Sequence, residues 1–351
     1  MTSYASAGVS IEAGDRAVEL MKEWVEKARR PEVVGGIGGF AGLFDASALK
    51  SYKRPLLATS ADGVGTKVAI AQAMDKHDTI GFDLVGMLVD DLVVCGAEPL
   101  FLTDYIACGS VVPERIADIV KGIAQACAET GTALLGGETA EHPGLLKPDE
   151  YDVAGSTTGV VEADKLLGAE LVKPGDVVIA MASSGLHANG YSLVRHVFFD
   201  KAGWKLDRDV PEFASTLGEQ LLIPTKLYAK PCLDLAAAVE VHAMSHITGG
   251  GLAANLARVV PDSVSVRVDR STWSQHAVFK LVGELGGVAR ADLEQALNMG
   301  VGMVALVAPE HADEAVRLLG DKGVPSWIAG DVAEAGVHGA GGSVTLENDY
   351  V

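Results

Sequence analysis

The sequence has 351 residues, of which 48% are hydrophobic and 21% are charged, and its formal net charge is −19. This length favours two domains, and this composition is that of a globular protein with a sizeable core. The negative charge argues against nucleic acids and anionic membranes as partners, because their phosphate groups would be repelled. Any site for an anionic ligand must therefore concentrate Lys, Arg, metal or backbone N–H groups.

The cysteines and the first residues indicate a cytoplasmic protein. The four cysteines, at positions 95, 108, 127 and 232, form no CxxC pair and no zinc-binding spacing. We expect them to be reduced and mostly buried. The first residues lack the basic and apolar regions of a signal peptide, and no apolar run is long enough to span a bilayer.

The chain begins with one predicted helix and a glycine-dense loop. Residues 14–30 place apolar side chains on one helical face, and Pro31 ends the helix. The loop at 35–42 can fold its N–H groups over a phosphate. A loop of this composition can equally be a flexible arm that binds nothing.

A strand-to-helix turn at residues 61–67 carries the first candidate site. Residues 55–59 predict a buried strand, and residues 68–74 predict a helix. Glycines at the turn let the backbone approach a ligand, and a helix N-terminus suits phosphate. Asp62 can hold a hard cation and Lys67 can neutralise phosphate charge. The alternative is a glycine turn with a capping Asp.

Two further stretches add carboxylates. Residues 80–96 are apolar on every side around Asp90 and Asp91, which predicts a buried helix whose charges need a partner such as a divalent cation. The alternative is a cap or a solvated edge. Glu138 follows an apolar strand at 132–135, and ligand sites of α/β proteins gather at strand ends. Between them lie a predicted strand at 100–107 and a helix at 113–130, and a strand at 153–161 follows.

The second half begins with a new strand and a polar loop. We place the domain boundary near residues 168–173, before a predicted strand at 177–182. The loop at 183–190 contains His187 and Asn189 and leads into a helix from Tyr191. A lone histidine is more often structural, but a position in a loop at a strand end gives a functional role comparable weight.

A glycine turn at residues 248–251 is the second candidate phosphate site. It joins a predicted strand at 241–247 to the next helix, and a helix N-terminus with glycines can hold phosphate. The alternative is a turn kept only for close packing. A long helix is predicted at 224–239, a strand at 301–307, a helix at 309–320 and a strand at 327–332. We interpret His242 and His246 as structural.

Several motifs occur together in a fixed order. They are RPEVVGGIGGF at 30–40, DGVGTK at 62–67, DDL at 90–92 with GAEP at 96–99, GGETAE at 136–141, YDVAG at 151–155, SSGLHANGYS at 183–192, HITGGG at 246–251 and NMGVGM at 298–303. Over nearly the whole chain this combination resembles the aminoimidazole ribonucleotide synthetases, the phosphoribosylformylglycinamidine cyclo-ligase family of purine biosynthesis.

The resemblance implies a fold and a reaction. It implies an α/β (α+β) fold of two domains, in which residues 1–170 bind ATP and Mg²⁺ and join two subunits through their sheets, and residues 171–351 form the C-terminal domain. In this family ATP phosphorylates the amide oxygen of formylglycinamidine ribonucleotide. A substrate nitrogen then attacks the activated carbon, phosphate leaves and the imidazole ring closes. The expected protein is a homodimer with a small-molecule substrate and no nucleic acid or membrane partner.

The resemblance also assigns expected roles to residues. The catalytic candidates are His187, Lys67 and Asp91. The nucleotide-binding candidates are Gly35, Gly36, Gly38, Gly39, Asp62, Gly63, Gly65, Thr66, Lys67 and Asn189. The substrate-phosphate candidates are Thr248, Gly249, Gly250 and Gly251, and the Mg²⁺ candidates are Asp62, Asp90, Asp91 and Glu138.

Other functions remain open at this stage. Thiamine-monophosphate kinase, selenophosphate synthetase and a hydrogenase maturation protein share the superfamily. Selenophosphate synthesis would require a reactive Cys in an N-terminal loop, whereas the first cysteine here is Cys95. A non-catalytic nucleotide-binding scaffold is a further alternative, against which the full set of carboxylates and Lys67 argue.

Overall fold

The chain folds into two compact units. The computed structural model describes residues 10–36 and 39–351. The first unit runs to Leu92 and continues over Ala97–Asp164, and the second contains Val93–Gly96 and Lys165–Val351. Each unit has its own mixed β-sheet and its own helices, as expected for the α/β (α+β) class.

The first unit, as far as it is described, is built from four helices and six strands. The helices are α1 (Ile11–Lys27), α2 (Val68–Met74), α3 (Ile80–Val93) and α4 (Pro113–Thr130). The strands are β1 (Val33–Val34), β2 (Leu43–Phe44), β3 (Pro55–Gly63), β4 (Glu98–Cys108), β5 (Ala133–Glu141) and β6 (Tyr151–Glu162). Strands β1 and β2 form an antiparallel hairpin, and the other four form a sheet of order β3-β6-β4-β5.

The two faces of the four-stranded sheet differ in how the described residues cover them. Strand β6 pairs antiparallel with β3 and β4, whereas β4 and β5 are parallel. Gly155 and Gly159 of β6 allow α3 to approach, since a Cβ there would lie 2.8 Å from Leu88 Cδ1 and 3.0 Å from Leu92 Cδ1. On the opposite face Leu57 is 65% exposed. The helix-covered face therefore holds the core of this unit.

Several predictions for the first unit are confirmed and two are wrong. The helices at 68–74 and 113–130 have the predicted bounds, with Gly131 in the left-handed region at the end of α4. The strand at 55–59 is present, but it is an edge strand whose residues are alternately exposed, not a buried strand. The strand before Glu138 continues to Glu141, so Glu138 lies inside β5 rather than at its end.

The second unit contains seven helices and eight strands in its described residues. The helices are α5 (Tyr191–Arg195), α6 (Leu217–Leu221), α7 (Ala229–Ala238), α8 (Gly251–Ala257), α9 (Ala277–Gly286), α10 (Arg290–Ala296) and α11 (Ala312–Asp321). The strands are β7 (Val177–Ala182), β8 (Asp209–Val210), β9 (Ser215–Thr216), β10 (Val241–His246), β11 (Val264–Asp269), β12 (Val301–Val307), β13 (Ser326–Glu334) and β14 (Val344–Glu347).

The main sheet of the second unit has six strands in the order β10-β12-β7-β13-β11-β14. All neighbours are antiparallel except β11 and β14. Strands β10 and β12 are buried along their whole length. On one face Leu252 and Leu256 of α8 join the sheet in a single apolar core. On the other face Cys232 of α7 contacts Met181 of β7, with 3.9 Å between the two sulfur atoms.

The strands predicted at 177–182 and 301–307 have the observed bounds, but several other elements differ from prediction. The long helix predicted at 224–239 begins only at Ala229. Pro231 lacks an N–H group and fits only in the first turn of a helix, which accounts for the late start. Strands β11 and β14 and helices α9 and α10 were not predicted.

Two composition-based expectations concern cysteines and membranes. None of the four cysteines forms a disulfide bond, and Cys108, Cys127 and Cys232 are buried. No helix within residues 10–36 and 39–351 combines the length and the apolar character needed to cross a membrane.

Candidate functional site

Lys67 does not reach a ligand-facing surface in this structure. A short 3₁₀ turn, Gly65–Lys67, precedes α2 and directs the side chain inward. Lys67 and Asp83 of α3 are both fully buried, and their Nζ and Oδ1 atoms are 2.8 Å apart. Burial lowers the pKa of Lys67, and the Asp83 carboxylate opposes this shift. The expectation of a phosphate-facing lysine is therefore not met here, whereas Gly65 and Thr66 in the same turn are exposed.

The two adjacent carboxylates of α3 have opposite environments. Asp90 is fully buried, whereas Asp91 is exposed. Successive residues of a helix point about 100° apart, so one faces the core and the other leaves it. The premise that Asp91 sits in an apolar environment was wrong, since the buried charge belongs to Asp90. Asp91 is thus accessible to a cation in solution.

Asp62 and Glu138 lie at opposite edges of the four-stranded sheet. The strand registers pair Asp62 with Gly155, Gly155 with Asp104, and Asp104 with Gly137. This row crosses all four strands, and three strand spacings amount to about 14 Å. Because Mg²⁺ bonds its ligands at about 2 Å, Asp62 and Glu138 of one chain cannot share a single ion. The prediction of one cluster containing both carboxylates is corrected accordingly.

The described residues contain no group of three or more His, Cys, Asp or Glu side chains arranged to hold a metal ion. This agrees with the strand order, which separates Asp62 from Glu138. Mg²⁺ commonly takes one or two carboxylates and completes its shell with water and ligand phosphates. Asp62, Asp91 and Glu138 are exposed residues, and carboxylate oxygens are hard donors of this kind.

The glycine loop after α1 connects the strands of the β1–β2 hairpin. Register pairs join Val33 to Phe44 and Val34 to Leu43, so residues 35–42 form the connection. Gly35, with φ of +89°, and Gly36 are exposed. Gly39 is exposed as well, while the predicted nucleotide contact Gly38 lies outside the described residues.

Arg30 fixes the base of this hairpin to the sheet. Its guanidinium donates to Glu32 and to the carbonyl oxygens of Pro99 and Gly131, both at 3.0 Å. A second ion pair joins it to Glu98. These bonds explain why a charged residue stands beside the glycine loop: Arg30 has a structural task and is not directed at a ligand.

His187 belongs to the 183–190 loop of the second unit, and its side chain is buried. Its backbone is left-handed, with φ of +58°, and the residue is only 1% exposed. The Nε2 atom accepts the Ser184 N–H at 3.2 Å, so the ring proton of the neutral form is on Nδ1. The ring packs against Tyr228, and a Cβ on Gly302 would lie 2.6 Å from its Cε1 atom. We expected a catalytic role for His187 with a structural role as the alternative, and this burial favours a ring that shapes the loop.

An amide side chain from a distant segment holds the start of the same loop. Asn298 donates through Nδ2 to Gly185 O at 2.8 Å, and its Oδ1 accepts the Ser183 hydroxyl at 3.2 Å. The same Oδ1 accepts the Gly300 N–H at 2.9 Å. Met299, between them, has φ of +50°. The NMGVGM motif therefore acts as a hydrogen-bonded support for the loop.

The 248–251 turn is held in a similar way by Asn255. Its Nδ2 atom lies within 3.2 Å of the carbonyl oxygens of Thr248, Gly249 and Gly251. We expected the backbone N–H groups of this turn to face a phosphate. In the structure the Gly250 N–H donates to Gln295 O, and the Gly251 N–H donates to Thr248 O. Gly249 and Gly250 are exposed. The turn is thus accessible, but two of its N–H groups are used within the fold.

The two glycine-containing loops of the second unit are neighbours. A Cβ on Gly249 would lie 3.7 Å from the Oδ1 atom of Asn189. A Cβ on Gly190 would lie 2.4 Å from Leu297 Cδ2, so both loops approach the end of α10. The structure therefore brings together Asn189 and residues 248–251, which the sequence placed 60 residues apart.

Sequence reasoning missed several supporting residues. They are Asp83, Tyr228 and Asn255, together with Asn298, which the sequence showed only as part of the NMGVGM motif and without a role. The sequence did contain a signal for Asp83, because it lies seven residues before Asp90 in the same apolar stretch. This spacing places both side chains on the same helix face. The amides carried no local signal, because Asn298 bonds to Ser183 and Gly185, 115 and 113 residues earlier, and Asn255 bonds to backbone atoms of the adjacent turn.

The two units are those of the AIR synthase related proteins. The family model for the N-terminal domain of these proteins matches residues 44–161, and the model for the C-terminal domain matches residues 173–341. A solved thiamine-monophosphate kinase from Stenotrophomonas maltophilia K279a has a TM-score of 0.68 at 20% identity and covers 98% of each chain. A solved hydrogenase maturation protein HypE in complex with ATP has a TM-score of 0.68 at 18% identity, over 97% of this chain and 92% of that chain.

Curated relatives narrow the class. A phosphoribosylformylglycinamidine cyclo-ligase from Geobacillus kaustophilus (strain HTA426) is 49% identical over 97% of this chain and 98% of its own length. One from Bacillus cereus (strain Q1) is 46% identical over 97% of this chain and 99% of its own length. The chain belongs to the phosphoribosylformylglycinamidine cyclo-ligase family.

Proposed function

We propose that this protein uses ATP to cyclise formylglycinamidine ribonucleotide to aminoimidazole ribonucleotide, releasing ADP and phosphate. The supporting observation is the 49% identity to a named cyclo-ligase over almost the full length of both chains. The fold alone would not select this reaction, because a kinase and a hydrogenase maturation protein share it. Phosphorylation of the amide oxygen would turn it into a leaving group, after which a substrate nitrogen closes the ring.

The proposed nucleotide site uses exposed backbone around glycines. Gly35, Gly36 and Gly39 of the hairpin loop, with Gly38 beside them in sequence, would supply N–H groups to the ATP phosphates. Gly63, Gly65 and Thr66 precede α2 in the first unit, and Asn189 of the second unit is proposed as a further nucleotide contact. The buried Lys67 would act indirectly, because its ion pair with Asp83 fixes the turn that carries Gly65 and Thr66 to α3.

The proposed magnesium ligands are the carboxylates Asp62, Asp90, Asp91 and Glu138. Bound Mg²⁺ would neutralise charge on the transferring phosphoryl group. Asp62 and Asp91 would each offer an oxygen to an ion whose other ligands are phosphate and water. Glu138, at the other sheet edge, would serve a different ion or a different chain. Asp90 is fully buried and would support its neighbour.

The proposed substrate site is the turn of Thr248, Gly249, Gly250 and Gly251. Its exposed glycines lie beside Asn189, so a ribonucleotide phosphate held there would be close to a proposed nucleotide contact. The advantage of such an arrangement is positional, because holding two reactants in line removes much of the entropic cost of their encounter. His187 is proposed to keep the 183–190 loop in shape for this contact.

The proposed assembly is a homodimer in the cytoplasm. The face of the four-stranded sheet opposite α3 exposes Leu57 and 41% of Tyr105. Two such faces from two subunits can cover each other by two-fold symmetry. Light scattering should give twice the chain mass, and Tyr105→Glu should lower it. A monomeric wild-type protein at micromolar concentration would contradict this assembly.

A substrate comparison tests the proposed reaction. Purified protein with ATP and Mg²⁺ should convert formylglycinamidine ribonucleotide to aminoimidazole ribonucleotide and should release one phosphate per ring closed. Thiamine monophosphate is the matched control, because the kinase of the same fold bears that name. Turnover of thiamine monophosphate without turnover of the ribonucleotide would overturn the proposal. ADP release without either product would favour a scaffold that only hydrolyses ATP.

A further inference from the structure

We propose that Arg270, Glu294 and Tyr350 are positioning residues that hold the 248–251 turn in its ligand-binding shape. The inference rests on the proposed function of that turn as the substrate-phosphate site. None of the three residues belongs to a motif by which the sequence predicted the site. They meet only in the folded chain, since Tyr350 lies 80 residues after Arg270.

The three side chains form a nearly enclosed cluster. Arg270 Nε lies 2.7 Å from Glu294 Oε1 and Nη2 lies 2.9 Å from Oε2, which is a two-pronged ion pair. The two side chains are only 12% and 11% exposed. The Tyr350 hydroxyl donates to Glu294 Oε1 at 2.9 Å. Burial raises the pKa of Tyr350, so this hydroxyl stays protonated and remains a donor.

Arg270 also ties the cluster to the residues around Tyr350. Its Nη1 atom donates to the carbonyl oxygens of Leu346 at 2.7 Å and Asn348 at 3.2 Å. The Tyr350 ring meets the Trp273 ring edge-on at a centroid distance of 5.3 Å. Both the orientation and the position of Glu294 are thereby fixed, because its carboxylate has partners on two different segments of the chain.

Glu294 transmits this position to the turn through its own backbone. It belongs to α10, and the next residue, Gln295, accepts the Gly250 N–H at 3.0 Å. A Cβ on Gly251 would lie 1.6 Å from the Glu294 carbonyl oxygen, so the turn lies directly against the helix backbone. A rotation or shift of α10 must therefore move Gly250 and Gly251.

The cluster is better explained by positioning than by stability alone. A buried ion pair is weak grounds for stability, since apolar residues of similar volume often serve as well. A two-pronged pair with a third hydrogen bond, in contrast, allows only one orientation of α10. Misplacement of a binding group weakens the hold on its ligand, so kcat/KM for the substrate bound at the turn should fall through KM. The 183–190 loop is held separately by Asn298, so the two loops should respond differently.

Three variants test the inference in the full-length protein. Tyr350→Phe removes one hydrogen bond, and Glu294→Gln removes the charge while keeping the shape. Asp349→Asn is the matched control, because it breaks an exposed ion pair with Arg290 between the same helix and the same segment. We expect Tyr350→Phe to raise KM for formylglycinamidine ribonucleotide about fivefold, as for the loss of one hydrogen bond, with a larger rise for Glu294→Gln. The KM for ATP and kcat should stay within about twofold.

Hydrogen exchange supplies a readout that does not depend on the proposed reaction. In Tyr350→Phe and in Glu294→Gln the amides of residues 249–252 should exchange faster than in the wild type, and the amides of residues 183–190 should not. In Asp349→Asn all amides should exchange at the wild-type rate. An unchanged exchange rate at 249–252 would overturn the inference. So would equal rises in both KM values with a lowered melting temperature, which would indicate a general loss of stability. If the wild type lacks cyclo-ligase activity, the proposed function fails, while the exchange data still decide whether the cluster positions the turn.

Discussion

The candidate sites of the two units consist of different chemical groups. In the first unit the site depends on charged side chains, some exposed (Asp62, Asp91) and some buried (Lys67, Asp83). In the second unit it depends on the backbone of glycine-rich loops, held by neutral amides such as Asn298. A single residue can supply a charge, whereas the conformation of a loop backbone depends on contacts with several segments of the chain.

The difference determines how each region should respond to substitution. A buried charge that loses its partner is costly, because desolvation is no longer offset. A loop held by hydrogen bonds and close packing loses its shape when volume is added. An exposed carboxylate can change with little effect on folding. The predictions below separate these three cases.

The largest effect should follow from breaking the Lys67–Asp83 pair. Lys67→Met leaves a buried carboxylate without its cation, so the free energy of unfolding should fall by about 3–5 kcal/mol. The double variant Lys67→Met with Asp83→Leu should recover most of this loss. Urea denaturation measures both. If the single variant unfolds within about 1 kcal/mol of the wild type, the pair is not the stabilising contact that its burial indicates.

The backbone-built loop should respond to added volume at Gly302. In Gly302→Ala the new Cβ would lie 2.1 Å from Tyr228 Oη and 2.6 Å from His187 Cε1. The expected cost is about 1–3 kcal/mol of stability, with a fall in kcat/KM because the 183–190 loop must move. Gly320→Ala in α11 is the control, since nothing lies within 4 Å and Ala favours a helix. Equal behaviour of the two variants would remove the argument for close packing.

The contrast between charged side chains and loop backbone also explains which features the sequence predicted. The helix at 113–130 was predicted with its bounds because Pro113 and Gly131 mark its ends locally. The carboxylates were visible as residue types, but exposure was not: only the rotation of α3 decides that Asp90 is inside and Asp91 outside. The strand order likewise separates Asp62 from Glu138, and no local pattern predicts strand order.

The supports of the second unit could not be predicted for a related reason. Asn298 holds a loop more than 100 residues earlier, and α10 was not predicted as a helix at all. Helix α10 has seven residues, so its periodicity is weak, and in contrast to the equally short α2 it does not follow a predicted strand and glycine turn. Family resemblance located the loops that these residues support, but the physical reason for their shape appears only in the folded chain.

A smaller effect concerns Asp104 and pH. Asp104 lies on the helix-covered face of the sheet beside Gly137, and burial raises its pKa to about 7. The unfolded chain loses this proton near pH 4, so between about pH 4 and 7 the native state binds more protons and stability falls as pH rises. Asp104→Asn should therefore be more stable than the wild type at pH 8, by at least about 1 kcal/mol, and equal to it near pH 4.

Unfolding curves of the two proteins across this range check the expectation. Asp152→Asn, at an exposed position of the neighbouring β6, is the matched control for removing one carboxylate. A constant difference between Asp104→Asn and wild type from pH 4 to 8 would mean that this carboxyl does not titrate within the window. The sheet interior would then contain no uncompensated acidic group at Asp104.

The smallest effect on stability, and the sharpest on function, should come from Asp91. Because its side chain is exposed, Asp91→Asn should leave the melting temperature unchanged. If Asp91 binds Mg²⁺, the metal concentration that gives half-maximal turnover should rise at least tenfold. Loss of metal affinity by this factor is typical even when only a hydrogen-bond partner of a metal ligand is mutated. Saturating Mg²⁺ should restore part of the activity. Asp118→Asn, at an exposed position of α4, removes the same charge outside any proposed site. A Mg²⁺ requirement equal in the two variants would make Asp91 an ordinary surface residue, and the proposed metal role at the nucleotide would remain with Asp62, since Glu138 lies at the other edge of the sheet.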